Sequence, residues 1–394
     1  MNRSESVSAS IDTVYSPGAA TGQAAFDPRR PTLLVLSHLR WSFVYQRPQH
    51  LMTRFARQYN VLFLEEPLAS QTAQPHLEVR VEPDGVWVLV PCLPVGQEGA
   101  AAVQAQRDLL DEQLASLGVT DLILWFYTPM ALDIVEHLHT SLVVYDCMDE
   151  LSAFRGAPPA LVGREKALLR KAQLVFTGGH SLWEAKRQWH SNVHAVPSSV
   201  DIAHFAQARE AQDEPLDMQD LPRPRLGFFG VIDERFDIGL VDELARLRPD
   251  WQLVFIGPVV KIDPASLPQR PNVLYLGARS YQRLPAYLAS WDLAIMPFAL
   301  NESTRFISPT KTPEYLAGGC PVISTPVADV VRSYGRSGVV HIASTAEEFI
   351  VAAERALHSA RDRDGFLAAA DRALQDMSWD NTWSKMMEEI RCLI

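Results

Sequence analysis

Residues 293–324 read LAIMPFALNESTRFISPTKTPEYLAGGCPVIS, and this stretch contains one complete unit of the fold. Two short, mainly apolar runs, Leu293–Met296 and Val322–Ser324, stand at its ends, with a polar loop and a helix-forming stretch between them. Short runs of this kind are typical of strands that are covered on both faces. A strand, a helix and a second strand in this order predict a parallel pair with a right-handed crossover.

The same alternation occupies most of the chain, and it is interrupted once. Residues 207–224 are polar, acidic and Pro-bearing, which indicates a linker. Two alternating halves joined by a linker predict an α/β protein in which two doubly wound, Rossmann-like domains face a shared cleft. The other strands are expected at Leu33–Leu36, Val61–Leu64, Leu122–Phe126, Leu142–Tyr145, Leu174–Phe176, Leu226–Phe229, Leu253–Ile256, Val273–Leu276 and Val339–Ile342.

Two further segments depart from the alternation. Residues 77–90 alternate around a Pro-Asp-Gly turn and predict a β-hairpin inserted in the first domain. Residues 1–30 are rich in Ser, Ala, Thr and Gly and lack the apolar run of a signal peptide, so we expect a disordered leader. The expected domains are therefore 31–206 and 225–376, followed by a tail at 377–394.

The charge balance excludes one class of partner. The 394 residues carry 36 Lys and Arg against 47 Asp and Glu, a net charge of −11, whereas nucleic-acid binding needs clustered cations. No run approaches the roughly 18 apolar residues that span a membrane, so any membrane contact is expected to be peripheral. The four cysteines contain no CxxC and the eleven histidines are not clustered, so we predict a cytoplasmic protein with reduced cysteines and no metal site.

Three common motifs of nucleotide and nucleophile sites are absent from the sequence. No GxGxxG follows a predicted strand, and neither GxxxxGK[ST] nor GxSxG occurs. A dinucleotide fingerprint, a P-loop and a nucleophile elbow are therefore excluded. Any phosphate site must be formed by other residues.

The helix of the opening stretch begins within the sequence SPTKTPE, and this segment is suited to bind a nucleotide. Either Ser308 or Thr312 can cap the helix, and the sequence leaves that choice open. The first backbone N–H groups, together with Thr310 and the charge of Lys311, predict an anion site. The carboxylate of Glu314 suits the two vicinal hydroxyls of a ribose.

Residues 314–323 read EYLAGGCPVI and resemble the E-(A/Y)-(M/L)-A-x-G-x-P-V-(V/I) signature of glycosyltransferase family 4, in its group-1 domain. Residues 196–201 (VPSSVD) and 272–277 (NVLYLG) are similar to further family segments. The resemblance implies a GT-B fold and a metal-independent hexosyltransferase without a cofactor. Its C-terminal domain would bind a nucleotide-sugar donor, a UDP- or GDP-sugar, and its tail helix would return to the N-terminal acceptor domain.

Residues 37–50 (SHLRWSFVYQRPQH) resemble a subgroup of bacterial transferases of the teichuronic-acid and exopolysaccharide type. This implies transfer of a sugar to a saccharide or polyprenyl-linked acceptor in cell-surface polysaccharide synthesis. One family feature is missing, because Phe306 stands eight residues before Glu314, where the family has another glutamate. A nucleotide-sugar 2-epimerase on the same fold and a non-catalytic nucleotide-sugar-binding protein therefore remain alternatives.

Two carboxylates are candidates for the base that accepts the proton of the acceptor hydroxyl. Asp146 and Asp149 lie at the carboxyl end of a predicted strand of the first domain, where the cleft is expected. Asp149 is our first choice. The alternative for both is a helix cap at the following turn.

The donor diphosphate is expected between two cations. Arg235 is the cation of the loop after the first strand of the second domain, and Lys311 lies opposite it in the predicted cleft. Gly230 would let the backbone approach the ligand closely. The alternative for Arg235 is an ion pair with Asp233 or Asp237.

The acceptor is expected at the loop that follows the first strand. We predict acceptor contacts for Trp41, Gln46, Arg47 and His50. The Trp41 ring offers an apolar face on which a sugar or lipid can stack, and Arg47 is expected to meet a lipid pyrophosphate.

Overall fold

The computed structural model describes residues 26–394. Most of the predicted leader, residues 1–30, lies outside the described residues, but its last five residues contact the first domain at a few points, and Phe26 and Asp27 are partly buried. The ring of Phe26 contacts Trp87 edge-on, with the ring centroids 5.9 Å apart. The amide of Asn60 donates to two backbone carbonyls of the same segment, at 2.7 and 3.2 Å. These contacts attach the end of the leader to β2 and to Trp87.

A mainly parallel sheet forms the first domain. Its strands are β1 (Thr32–Leu36), β2 (Asn60–Leu64), β3 (Leu68–Ser70), β4 (His76–Val81), β5 (Val86–Pro94), β6 (Leu122–Phe126), β7 (Leu142–Cys147), β8 (Leu174–Thr177) and β9 (Val193–Ala195). They lie in the parallel order β3-β5-β2-β1-β6-β7-β8-β9. β4 pairs antiparallel with β5, which confirms the predicted hairpin. The edge strands β3 and β9 are short and escaped the sequence analysis.

Helices cover both faces of this sheet. They are α1 (Arg47–Phe55), α2 (Gly99–Ser116), α3 (Leu132–Val135), α4 (Leu161–Lys171) and α5 (His180–Lys186). Leu33 and Val35 of β1 face one apolar core, and Leu34 and Leu36 face the other. Burial on alternate faces explains why the central strands are apolar at every position.

The second domain is a parallel sheet in the order β12-β11-β10-β13-β14-β15. Its strands are β10 (Arg225–Phe229), β11 (Gln252–Ile256), β12 (Val273–Tyr275), β13 (Leu293–Met296), β14 (Val322–Ser324) and β15 (Val340–Ile342). Its helices are α6 (Ile202–Ala206), α7 (Ile238–Leu247), α8 (Leu284–Ala289), α9 (Lys311–Ala317), α10 (Ala328–Tyr334), α11 (Ala346–Ser359) and α12 (Arg363–Leu374). The strand order reverses at β10, so a ligand crevice is expected at its carboxyl end. The predicted class, two doubly wound domains facing a cleft, is confirmed.

The chain enters the second domain earlier than predicted. Phe205 of α6 stacks on Phe229 of β10, with the ring centroids 5.8 Å apart, so residue 206 already lies inside the second domain. The segment 207–224 packs on the same domain, where Met218 is fully buried. Polar composition marked this segment as a linker because only a few of its residues are anchored in the core.

The two domains contact each other away from the cleft through α10 and α5. The carboxylate of Asp329 in α10 accepts hydrogen bonds from the backbone N–H groups of His180 and Ser181, at 2.8 and 2.9 Å. Arg332 of α10 pairs with Glu184 of α5 at 2.7 Å. A side chain of the second domain therefore caps a helix of the first.

The last helix, α13 (Trp379–Arg391), packs on the first domain. Trp379 and Met386 are buried in the core that α1 also covers. Asp380 forms an ion pair with Arg54 of α1 at 3.0 Å. Within residues 26–394, no helix combines the length and apolar character needed to cross a membrane.

Candidate functional site

A cavity of about 530 Å³ lies between the two domains. The first domain contributes residues 41–45 and the turn of the β4–β5 hairpin. The second contributes the loops after β10, β11 and β12 and the start of α9. The cavity therefore lies where the strand order of the second sheet predicts a ligand.

The floor of the cavity is backbone at two glycines. Gly230 follows β10 with φ 153°, and Gly257 follows β11 with φ 149°. Residues other than glycine rarely adopt this region of φ. A Cβ at Gly257 would lie 1.8 Å from the carbonyl oxygen of Gly230. A Cβ at Gly230 would lie 3.4 Å from Cε of Lys311. The two glycines keep open the space beside the Lys311 ammonium.

Lys311 and Glu314, from the start of α9, form an ion pair next to this glycine floor. Nζ of Lys311 lies 3.1 Å from the Glu314 carboxylate and donates to the hydroxyl of Thr310 at 3.2 Å. Glu314 is buried at 6% exposure yet lines the cavity. Burial raises the pKa of Glu314, and Lys311 opposes that shift. The pair can offer a cation to phosphate and a carboxylate to hydroxyls.

The start of α9 differs from both predicted alternatives. The helix begins at Lys311 with Thr310 as its N-cap, not with Ser308 or Thr312. Pro313 is its third residue, where a backbone N–H would have no partner within the helix. Thr312 is fully buried and donates to the sulfur of Met296 at 3.4 Å. Ser308 lies against Gly179, at the junction with the first domain.

Tyr281 forms an aromatic end of the cavity that the sequence analysis did not identify. Its ring stacks on His204 with the centroids 4.1 Å apart and lies 4.9 Å from the ring of Tyr45 in the first domain. Burial raises the pKa of Tyr281 far above its ordinary value, so its hydroxyl stays protonated. Aromatic surface of this kind suits a nucleobase or a sugar face.

Arg235 is not in the cavity. Its guanidinium forms three hydrogen bonds to Asp233, at 2.7, 2.9 and 3.2 Å, and lies over the ring of Phe154 of the first domain, 5.3 Å from the centroid. The ion pair with Asp233, which was the alternative for Arg235, is present, and the diphosphate contact stays a prediction. Nζ of Lys261 also lies over the Phe154 ring, 5.0 Å from its centroid.

Asp149 follows β7 and is not one of the residues that line the cavity, but it interacts with the charges of these two cations. Burial raises the pKa of its carboxyl to about 6, against the opposing charges of Arg235, Arg47 and Lys261. In the described part of the chain its carboxylate accepts no hydrogen bond, although the carboxylates around it are paired. A half-buried carboxylate that titrates near pH 6 is suited to accept a proton.

Asp146 and Arg47 form a buried ion pair instead of lining the cleft. Asp146 is 0% exposed and Arg47 is 2% exposed, and their closest atoms are 2.8 Å apart. Arg47 also donates to the carbonyl of Val196 at 2.8 Å. The predictions of a catalytic Asp146 and an acceptor-binding Arg47 are both wrong, because the two buried charges are paired with each other.

The predicted acceptor loop has one face in the cavity. Trp41 lines the cavity, although it is only 9% exposed and packs against Phe63. His50 is buried and stacks on Trp379, with the centroids 4.5 Å apart, so it does not reach an acceptor. Gln46 caps α1. Trp41 thus lies at the cavity, as predicted, whereas Gln46 and His50 belong to α1 and its N-cap and do not line the cavity.

The hairpin supplies polar side chains to the first-domain wall that the sequence analysis missed. Arg80, Glu82 and Asp84 line the cavity. Arg80 contacts Glu82 at 2.9 Å and Glu65 at 3.3 Å. Glu65 also accepts the backbone N–H of Trp41 at 2.8 Å and therefore joins the hairpin to the loop. The turn itself was predictable, but its approach to the cleft depends on the packing of the sheet.

His38, which follows β1, is a second polar group that no prediction covered. Burial and the nearby charge of Lys261 lower the pKa of its imidazole to about 4, so it is neutral at pH 7. Among the described residues, its buried Nδ1 has no hydrogen-bond partner. A neutral imidazole at the end of β1 can form a hydrogen bond with a hydroxyl group.

Phe306, where the family has a carboxylate, packs partly buried against an apolar core of the first domain. Arg305 lies over its ring, 5.1 Å from the centroid. This position therefore brings no acidic group to the cavity.

Comparison with known proteins agrees with this geometry. Residues 223–359 match the family model described as Glycosyl transferases group 1. A curated relative, the putative teichuronic acid biosynthesis glycosyltransferase TuaH of Bacillus subtilis, is 27% identical over 235 residues. That similarity spans 55% of this chain and 59% of the relative.

Solved structures resemble nearly the whole chain. Sucrose-phosphate synthase from Thermosynechococcus elongatus is 14% identical, with a TM-score of 0.66 over 92% of this chain and 99% of that one. A UDP-forming trehalose-phosphate synthase from Burkholderia xenovorans is 12% identical, with a TM-score of 0.66 and the same coverage. Anabaena HepE in complex with UDP is 13% identical, with a TM-score of 0.61 over 92% and 100%. At these identities the likeness establishes the fold. The chain has the GT-B fold, and its second domain matches the group 1 glycosyltransferases.

Proposed function

We propose that the protein transfers a sugar from a nucleotide-diphosphate donor to a saccharide or lipid-linked acceptor in the synthesis of a bacterial cell-surface polysaccharide. The observation that carries this proposal is the interdomain cavity, in which Lys311 and Glu314 stand beside a glycine floor and opposite an aromatic wall. The similarity to a putative teichuronic acid glycosyltransferase supports the biological setting.

The donor would lie along the second-domain wall. Its diphosphate fits the space between the Gly230 backbone and the Lys311 ammonium, where a cation can stabilise the departing nucleotide. Its ribose hydroxyls can donate to the carboxylate of Glu314. The base then reaches the loop that carries Tyr281.

The acceptor would enter along the first-domain wall, and the charges there favour a saccharide portion. Arg40 and Arg80 both contact Glu65, so these cations are already paired. Glu82 and Asp84 offer carboxylates that can accept hydrogen bonds from sugar hydroxyls. Glu82 is itself paired with Arg80, whereas Asp84 forms no ion pair within residues 26–394, so the charge of Asp84 would repel an anionic phosphate group.

The chemistry assigned to the site is a single group transfer. The acceptor hydroxyl oxygen forms a bond to the anomeric carbon, while the bond from that carbon to the diphosphate oxygen breaks. The hydroxyl proton passes to Asp149. The electron pair of the broken bond leaves with the nucleoside diphosphate, whose charge Lys311 neutralises.

A binding screen tests this proposal directly. The purified protein is titrated calorimetrically with UDP, GDP, ADP, TDP and CMP, and the sugar nucleotide of the best ligand is then supplied with saccharide acceptors. We expect one nucleoside diphosphate to bind selectively and to be released on transfer. Binding of none of them would overturn the donor site. Conversion of the donor to an epimer without release would establish the epimerase instead.

Replacement of Glu314 by Ala is expected to weaken binding of that nucleotide about 10- to 100-fold, because a hydrogen bond to a charged group contributes about 1.5–3 kcal/mol. Calorimetry measures the loss. Inorganic pyrophosphate should bind the variant no more weakly, since Lys311 keeps its charge and loses its competing partner. The matched control is Glu302→Ala, whose side chain is 79% exposed. Equal nucleotide affinity of Glu314→Ala and the control would contradict the ribose contact.

A further inference from the structure

The hairpin of the first domain brings two side chains of β4 close to a cysteine of β5. His76 of β4 pairs directly with Cys92 of β5, and Glu78 lies two residues further along β4 on the same face. One ligand atom from each of the three lies within 4.8 Å of the others. Imidazole, carboxylate and thiolate are the ligand types that zinc prefers.

A neighbouring hydroxyl sets the orientation of the His76 ring. The hydroxyl of Thr72 donates its proton to the carbonyl of Gln74 at 3.0 Å. Its oxygen, 3.3 Å from Nδ1 of His76, therefore acts as an acceptor toward the ring. In the neutral ring this places the proton on Nδ1 and leaves a lone pair on Nε2. A hydrogen bond to the second nitrogen is the usual support of a metal-binding histidine.

Nε2 of His76 faces the carboxylate of Glu78, with 4.0 Å between the nitrogen and the nearer oxygen. Either a proton on Nε2 or a metal ion between the two groups makes this contact favourable. The sulfur of Cys92 lies within the same 4.8 Å range. A single metal ion would therefore be within reach of all three ligand atoms.

We propose that His76 Nε2, the Glu78 carboxylate and Cys92 Sγ bind one zinc ion, with water in the fourth position. Bond lengths of about 2.0–2.3 Å place ligand atoms about 3.3–3.6 Å apart, so small side-chain rotations complete the site. When the metal binds, the thiol of Cys92 loses its proton to solvent, and the resulting thiolate binds the metal. No electron transfer is involved.

The backbone around the three ligands is rigid, while the ligands remain reachable. Cys92 is 4% exposed and lies on β5, which is flanked by β3 and β4. The side chains of His76 and Glu78 are 41% and 66% exposed, so an ion can enter from solvent. A bound ion would tie the open end of the hairpin whose turn, with Glu82 and Asp84, lines the cavity.

Cobalt(II) serves as the spectroscopic probe, because its thiolate bond gives charge-transfer absorption in the near ultraviolet. The full chain, freed of metal, is titrated with cobalt and then with zinc. We expect one equivalent of cobalt to produce the band and zinc to remove it. Cys92→Ser should lose the band, and His76→Ala should bind zinc at least about 10-fold more weakly. Thr72→Val should weaken zinc binding about 10-fold, because it removes only the hydrogen bond to Nδ1 of His76.

The matched control is Cys392→Ser, which removes an exposed free cysteine elsewhere in the chain and should keep the band. Because His76 is partly exposed, its replacement is not expected to disturb the fold, and circular dichroism checks this. If cobalt bound at one equivalent without producing the charge-transfer band, the site would be overturned. Zinc affinity that is equal in the wild type, Cys92→Ser and His76→Ala would overturn it as well.

Discussion

Asp149→Asn should lower kcat/KM for sugar transfer about 100- to 10,000-fold while leaving nucleotide affinity unchanged, because it removes the proton acceptor and not a donor contact. The carboxylate follows β7 of the first domain, and burial raises its pKa to about 6. The asparagine side chain has the same size but cannot take up the acceptor proton. Initial rates of nucleotide release at saturating donor measure the loss.

The pH profile separates this role from a structural one. In the wild type, transfer should fall as the pH drops below about 6, where Asp149 becomes protonated, and the acid limb should be absent from the residual activity of Asp149→Asn. The effect on folding has the opposite sign. Folding raises this pKa above the ordinary 3.8, so the carboxyl favours the folded state at low pH and loses that contribution as the pH rises through about 6.

An exposed carboxylate of α2 provides the control for Asp149. Asp108→Asn removes the same charge far from the cleft and should leave rate and profile unchanged. Retention of at least half of the wild-type rate by Asp149→Asn would exclude this residue as the base. His38, whose Nδ1 has no hydrogen-bond partner among the described residues, would then be the next group to replace.

Arg47→Ala should lower the free energy of unfolding of the first domain by about 3–5 kcal/mol, because it leaves a buried charge without its partner. Asp146 is 0% exposed, and the guanidinium contacts its two oxygens at 2.8 to 3.2 Å. Urea unfolding followed by tryptophan fluorescence measures the change. The loss should appear in the first-domain transition, since two domains need not unfold together.

A double variant distinguishes a lost ion pair from lost packing. In Arg47→Met combined with Asp146→Leu neither charge remains, and most of the stability should return. Arg57→Ala is the control, because its partner Asp380 is exposed and such surface pairs contribute about 0–1 kcal/mol. If Arg47→Ala unfolds like the wild type and instead raises KM for the acceptor, the original expectation of an acceptor contact would be restored.

The position of the donor segment could be predicted because it depends on local pattern. Leu293–Met296 and Val322–Ser324 are apolar strands, and the residues between them must reach the start of the next helix. A connection in a parallel sheet begins at the carboxyl edge, where the cleft lies. Lys311 and Glu314 therefore lie in the cavity as expected. Similarly, the Pro-Asp-Gly turn was sufficient to predict the hairpin.

The use made of each charge could not be predicted in the same way. Arg47 and Asp146 are 99 residues apart and meet only because α1 lies above the end of β7. Arg235 was expected to bind phosphate, but the fold places it beside Asp233 and the ring of Phe154 from the other domain. A charged residue has the same sequence signature whether it faces a ligand or a buried partner.

The sequence alone thus determined the two-domain architecture, the hairpin and the donor segment, since each follows from periodicity or turn chemistry within a few tens of residues. Tertiary structure alone decided which polar groups reach the cavity and which are neutralised. It also joined His76 and Cys92, whose separation in sequence shows no metal-ligand spacing, through cross-strand pairing. The physical reason is that burial and ion pairing depend on distances in space, whereas propensity and periodicity act along the chain.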